Sequence, residues 1–264
     1  MRLMLRLLVG AAALGLLIGS AEAAPNPSQA SATTGELVLQ ATILVRSEPG
    51  GCPADAPDAD ECFGRTGSGV IPGLGTTSVT YAFLIDKPAR CPGDGDVLLP
   101  SKGKLIVAGK GEIDLSLSGL SDCFVPASTV LKAKQPFVVT GGTGKYVGAS
   151  GTGTIQHDTT QTAGGSVGHD IFVGTIAVPG LDFDVTAPVL KGAVAKSVRV
   201  TAGRKTARVR YVVTARDEVD GVVPVTCRPP SGTLFRIGRT LVTCSATDKS
   251  GNVASAKFTV LVRR

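Results

Sequence analysis

Apolar and polar residues alternate along most of this chain with the period of two that a half-buried β-strand imposes. ELVLQATILVR, starting at Glu36, predicts a long strand. TTSVTYAFLI, KLIVAGKGEIDLSLSGL, PFVVTGG, GTGTIQHD and HDIFVGTIAV predict further strands, each bounded by Gly, Pro, Asp or Ser. The pattern pauses at DFDVTAPVLKG, where Pro188 marks a domain junction, and resumes to Arg264. In this second block Val225 and Cys227 share one face, Val242, Cys244 and Ala246 another, and Phe258, Val260 and Val262 a third, as the strands of a sandwich would. No segment sustains the i, i+3, i+4 pattern of an amphipathic helix. The expectation is an all-β protein in two parts, a first block of strands at 36–183 and a β-sandwich at 184–264.

The beginning of the chain has a different character. MRLMLRLLVGAAALGLLIGSAEAA pairs Arg2 and Arg6 with an apolar run and the small-x-small sequence Ala21-Glu22-Ala23. It reads as a signal peptide over 1–23, cut before Ala24. The apolar run is shorter than the roughly 20 residues of a spanning helix, so no transmembrane segment is expected and the mature protein is expected to be secreted and extracellular. Residues 24–35, small, polar and proline-bearing, read as a disordered lead-in. Charge then divides the mature chain. Residues 24–185 carry ten Lys and Arg against sixteen Asp and Glu, while 186–264 carry fifteen against four, a net of +11.

Six Cys in a chain bound for an oxidising compartment imply disulfides. Cys227 and Cys244 are natural partners across the sandwich core. Cys52, Cys62, Cys91 and Cys123 allow three pairings; Cys52 with Cys62 would close the acidic loop GGCPADAPDADECFG, and Cys91 with Cys123 would tie KPARCPG to GLSDCF. That loop, with Asp55, Asp58, Asp60 and Glu61, lacks the EF-hand spacing and is stiffened by Pro53 and Pro57, so it reads as a solvated loop. No C-x-x-C pair exists and the only His, His157 and His169, stand far from any Cys, which argues against zinc. No metal and no cofactor is expected.

VPVTCRPPSGTLFRIGRTLVTCSATDKSGNVASAKFTVLV closely resembles the hyalin repeat, or HYR domain. Cys227, Ser231-Gly232, Phe235, Gly238, Thr240, Val242, Cys244, Ala246, Asp248 and Gly251-Asn252 stand in register with its pattern, and Asp184 to Pro188 match its opening. Arg236 replaces a common proline. The resemblance implies an immunoglobulin-like adhesion or spacer module without catalysis. Asp248 to Asn252 read as a hairpin turn. A calcium site of Asp217, Asp220 and Asp248 is the sharper reading of the same residues, disfavoured by the small number of acids in so basic a block. Outward Arg199, Arg208 and Arg210, extended by Arg204 and Lys205, would form a cationic stripe if their two strands share a sheet. The stripe is either edge protection or a surface for an anionic glycan or cell-wall polymer.

PFVVTGGTGKYVGASGTGTI looks at first like a phosphate loop. Tyr146 follows Gly144-Lys145 where Ser or Thr is required, and no helix-forming segment comes next, so the glycines serve turns and close approach. The stretch is similar to a signature of small secreted β-barrels related to dirigent proteins and allene oxide cyclases, which implies an N-terminal β-barrel at 36–183 with a turn here between two strands and Phe137, Val139, Tyr146 and Ile155 in the core. If that resemblance extended to chemistry, His157, Tyr146 and Asp158 are the nearest candidates. No G-x-S-x-G or H-E-x-x-H occurs, so no catalytic residue is assigned. The functional expectation is a non-enzymatic bacterial protein for extracellular adhesion or matrix binding through the basic module, with no specific nucleic-acid partner. The alternative is a barrel that binds or isomerises a small ligand in its lumen, with the second domain as a spacer.

Overall fold

A computed structural model describes residues 33–54, 56, 58–86, 96–124, 130–162 and 164–264. The signal-peptide segment and Cys91 lie outside them, as do the side chains of Cys123 and Asp55, so the expectations that rest on these residues are not addressed by the fold.

Among the described residues, eight strands make an up-and-down barrel: β1 (Glu36–Gly50), β2 (Glu61–Ile71), β3 (Gly75–Asp86), β4 (Ser101–Val107), β5 (Gly111–Leu117), β6 (Val130–Gly142), β7 (Ser150–Thr162) and β8 (Gly165–Ala177). Each strand pairs antiparallel with the next, and β8 pairs with β1 over Glu36–Ser47, closing the sheet. Two short strands, Asp96–Leu98 and Leu120–Phe124, extend the far end of β3 as a side flap. Alternation sets the facing: Leu37, Leu39, Ala41, Ile43 and Val45 of β1 point inward with Ile113, Leu115, Phe137, Ile155 and Phe172. Side chains fill the interior, as in other barrels of this strand number.

The glycine stretch forms the β6–β7 connection. A single 3-10 turn, Gly144–Tyr146, drops Tyr146 onto the core at 2% exposure. Phe137, Val139 and Ile155 are also buried, as the sequence implied. Gly153, on β7, faces inward where a Cβ would come within 2.5 Å of the Phe137 ring, so its missing side chain is what lets the ring lie against the strand.

The second block forms smaller sheets from β9 (Val189–Lys191), β10 (Lys196–Arg199), β11 (Thr206–Arg208), β12 (Thr214–Asp217), β13 (Gly221–Val223), β14 (Val225–Arg228), β15 (Leu234–Arg236), β16 (Gly238–Thr247) and β17 (Val253–Arg263). The main sheet runs β10-β17-β16-β14, with β10 and β17 parallel; β9-β12-β13 and β11-β15 form the others. Val209, Tyr211, Phe235, Val242, Cys244, Phe258, Val260 and Val262 make a core separate from that of the barrel. The Cys227–Cys244 and Cys52–Cys62 disulfides are both present. Cys227 and Cys244 face each other on the adjacent strands β14 and β16. The bridge therefore staples neighbours within one sheet instead of crossing the core, a consequence of a hairpin-like register that sequence spacing leaves open.

Thr33 and Thr34, inside the expected lead-in, pair with Phe183 and Asp184 on the strand leaving the barrel. The β16–β17 turn rests on the β2–β3 turn: a Cβ on Gly251 would meet Val70 Cγ1 at 2.6 Å, and one on Gly75 would meet the Lys249 carbonyl at 2.6 Å. Barrel and sandwich thus pack within one compact unit.

Candidate functional site

Three features carry chemistry, the first of them inside the barrel. Strand parity puts Arg65 of β2, Tyr81 of β3, His157 of β7 and Asp170 of β8 on the inward faces, toward the end of the barrel away from the sandwich. Register then brings them together. Ser166 lies opposite Ser47, Ser47 opposite Arg65, Arg65 opposite Tyr81, and His157 opposite Asp170. Arg65 grips Asp170 with two bonds, Nε to Oδ2 at 2.9 Å and Nη2 to Oδ1 at 2.6 Å, and its Nη1 donates to Ser47 Oγ at 2.8 Å. Its guanidinium lies over the Phe83 ring at 4.9 Å. Tyr81 donates its hydroxyl to Asp170. His157 Nδ1 faces Asp170 Oδ1 at 3.0 Å and its Nε2 faces Gln135 Oε1 at 3.1 Å, while Gln135 Nε2 donates to the Ser118 carbonyl at 2.9 Å.

Arg65, His157 and Asp170 have no solvent exposure. Burial works to raise the Asp170 pKa, but the hydrogen bonds from Arg65 and His157 win and hold it at about 2. Burial pushes His157 below its ordinary value against the pull of Asp170. Burial, and then the Asp170 charge, push Tyr81 well above its own. The network is a buried bidentate ion pair flanked by hydrogen bonds involving Ser47, Tyr81, His157 and Gln135, the kind of partnering a buried charge requires.

The three residues named for chemistry are not brought together. His157 belongs to this network, but Asp158, the next residue along the strand, faces outward and stands 3.9 Å from Lys132. Tyr146 sits in the β6–β7 turn toward the opposite end of the barrel, its phenol pushed up to about 12 by burial. Sequence reasoning missed Arg65 and Asp170. The signal was parity: Asp170 shares a face with Phe172 and Ile176, and Arg65 with Ile71.

The second feature is the sandwich surface. Arg199, Arg204, Lys205, Arg208 and Arg210 are all exposed. Arg199 ends β10 and Arg208 ends β11, strands of different sheets, so the expected stripe across one sheet does not form. The cations instead follow the chain from one sheet to the next through the Arg204-Lys205 turn. Arg208 Nη1 donates to the Gly232 carbonyl at 2.7 Å. All four acids of residues 186–264 lie elsewhere, with Asp217, Glu218 and Asp220 at the β12–β13 turn and Asp248 at the β16–β17 turn. Both turns belong to the barrel-facing end.

The third feature is at that end. Carboxylate oxygens of Asp184, Asp217 and Asp248 lie within 4.8 Å of one another, and all three residues are buried. Asp217 and Asp248 were named for calcium in the sequence. Asp220 is not part of the group; its Oδ2 accepts from the Lys249 amide at 2.7 Å. Asp184 takes its place, from the strand that leaves the barrel.

A closed barrel joined to a small disulfide-stapled sandwich defines a two-part all-β protein. The sandwich is identified by comparison: residues 183–262 match the family model of the HYR domain, a family of extracellular, adhesion-type modules. Comparison with curated proteins and with solved structures found no match. Among the described residues no helix is long and apolar enough to cross a membrane.

Proposed function

We propose that this is a secreted, non-enzymatic bacterial protein that attaches to an anionic extracellular polymer, a glycan or cell-wall component, through its HYR module. The observation that carries this reading is the segregation of charge on the sandwich. Its acids are confined to the turns beside the barrel, so an anionic chain approaching Arg199, Arg204, Lys205, Arg208 and Arg210 meets cations without interspersed carboxylates. The barrel supports the reading in a different way. Its interior is packed with side chains and its buried ion pair is held on several sides by neighbouring polar groups, which favours a rigid carrier over a lumen for a small ligand.

Replacing Arg199, Arg208 and Arg210 together with Ser tests it. The three side chains are exposed, so the fold should persist by circular dichroism. Wild-type protein should bind acidic glycans on an array, and binding should weaken as salt shortens the Debye length below about 10 Å. The triple variant should lose most of it. Equal binding by the two proteins, or binding indifferent to salt, would overturn the electrostatic reading.

A further inference from the structure

Asp184, Asp217 and Asp248 arrive at one point from three separate pieces of chain: the strand leaving the barrel, the end of β12 and the β16–β17 turn. Local turns account for part of their bonding. Asp184 Oδ1 accepts from the Thr186 amide and hydroxyl, each at 3.3 Å. Asp217 Oδ1 accepts from the amides of Val219 and Asp220 at 2.8 and 2.9 Å. Asp248 accepts from the Asn252 amide and from Asn252 Nδ2, which also donates to the Asp184 carbonyl. The second oxygens, Oδ2 of Asp184 and Oδ2 of Asp217, are buried with no hydrogen-bond partner. Their residues are only 6% and 2% exposed.

A buried acceptor left unmade is costly, and more so when it carries charge and faces other carboxylates. Neither nearby ammonium bonds these two oxygens, although Lys110 feels the charges of Asp184 and Asp248. Lys110 of the barrel donates to the Leu74 carbonyl at 2.7 Å, and Lys249 Nζ stands 3.3 Å from Asp220.

We propose that the three carboxylates form a calcium site that ties the strand leaving the barrel to two turns of the sandwich. An all-oxygen donor set selects a hard cation. Three carboxylates from separate turns suit calcium, which accepts flexible coordination with bonds of about 2.3–2.6 Å, better than magnesium, which demands near-ideal octahedral geometry at about 2.0–2.1 Å. The calcium would supply the missing partner of both Oδ2 atoms.

Isothermal titration of the EDTA-treated full chain with calcium chloride, and separately with magnesium chloride, tests the proposal. One calcium per chain is expected, with a dissociation constant at or below the range of about 10⁻⁴–10⁻³ M usual for extracellular modules, and weaker magnesium binding. Asp217→Asn should weaken calcium at least about tenfold, and Asp58→Asn, in the exposed acidic loop, should not. Hydrogen exchange on the wild-type chain locates the site without a variant: calcium should slow the amides of 217–220 and 248–252. No calcium binding at millimolar concentration would overturn the proposal. So would binding that Asp58→Asn abolishes, or binding that leaves exchange in both turns unchanged.

Discussion

Arg65 is a full positive charge with no access to solvent, and the fold tolerates it because Asp170 meets it with two bonds in a fixed plane. Replacing it with Met would leave the Asp170 carboxylate buried and unpaired. A loss of about 3–5 kcal/mol in urea unfolding is expected, with partial recovery in the Arg65→Met/Asp170→Asn double variant. The same pair predicts a pH dependence. With its folded pKa depressed to about 2, Asp170 stabilises the fold fully above the ordinary carboxylate range, by on the order of 2 kcal/mol, and that contribution is lost as pH falls toward 2. His157 acts in the same direction, because its lowered folded pKa means the unfolded chain takes up its proton first as pH drops. Unfolding free energy measured from pH 7 to pH 3 should therefore decline, and the decline should be shallower in the double variant. Little of this was legible beforehand. His157 stood out by residue type, but its partner is thirteen positions on, across a hairpin, and Arg65 in a Gly-rich strand looks like an exposed residue.

At the scale of the element, strands were the legible part, because alternation sets facing without help from distant contacts. ELVLQATILVR is buried on alternate residues as its pattern requires, and the GGTGKY segment is a turn. Sheet membership was not legible: β10 and β11 are consecutive along the chain yet pair with β17 and β15, partners distant in sequence. Inward glycines were hard to read for a related reason, since what each accommodates lies on another strand. Gly153→Ala would drive a Cβ to 2.4 Å from the Val173 carbonyl and 2.5 Å from the Phe137 ring. It should lower stability by about 1–3 kcal/mol. Gly64→Ala, where nothing lies within 4 Å, should lower it little or not at all. Thermal melts of the two variants make the comparison, and equal effects would show that strand propensity, not packing, governs these positions.

For the molecule as a whole, the contact between the β16–β17 turn and the β2–β3 turn decides how rigidly the sandwich is held against the barrel. Gly251 has φ +85 and no room for a Cβ against Val70 and the Ile71 carbonyl. Gly251→Val should wedge the turns apart while each core stays folded, seen as a larger radius of gyration in X-ray scattering with an unchanged circular dichroism spectrum. An unchanged radius would mean that the contact is not what holds the halves together. The closed barrel has a kinetic corollary. Its seam joins the strand that begins at Glu36 to the strand that ends at Ala177, so the earliest strand to be synthesised waits for the last before its outer edge is covered. Pairing of such distant segments is slow, and an uncovered edge meanwhile invites other chains. A chain threaded through a membrane would likewise expose the β1 edge until the last strand had passed, and one halted before Gly165 would hold a ribbon of paired strands that has no means of closing.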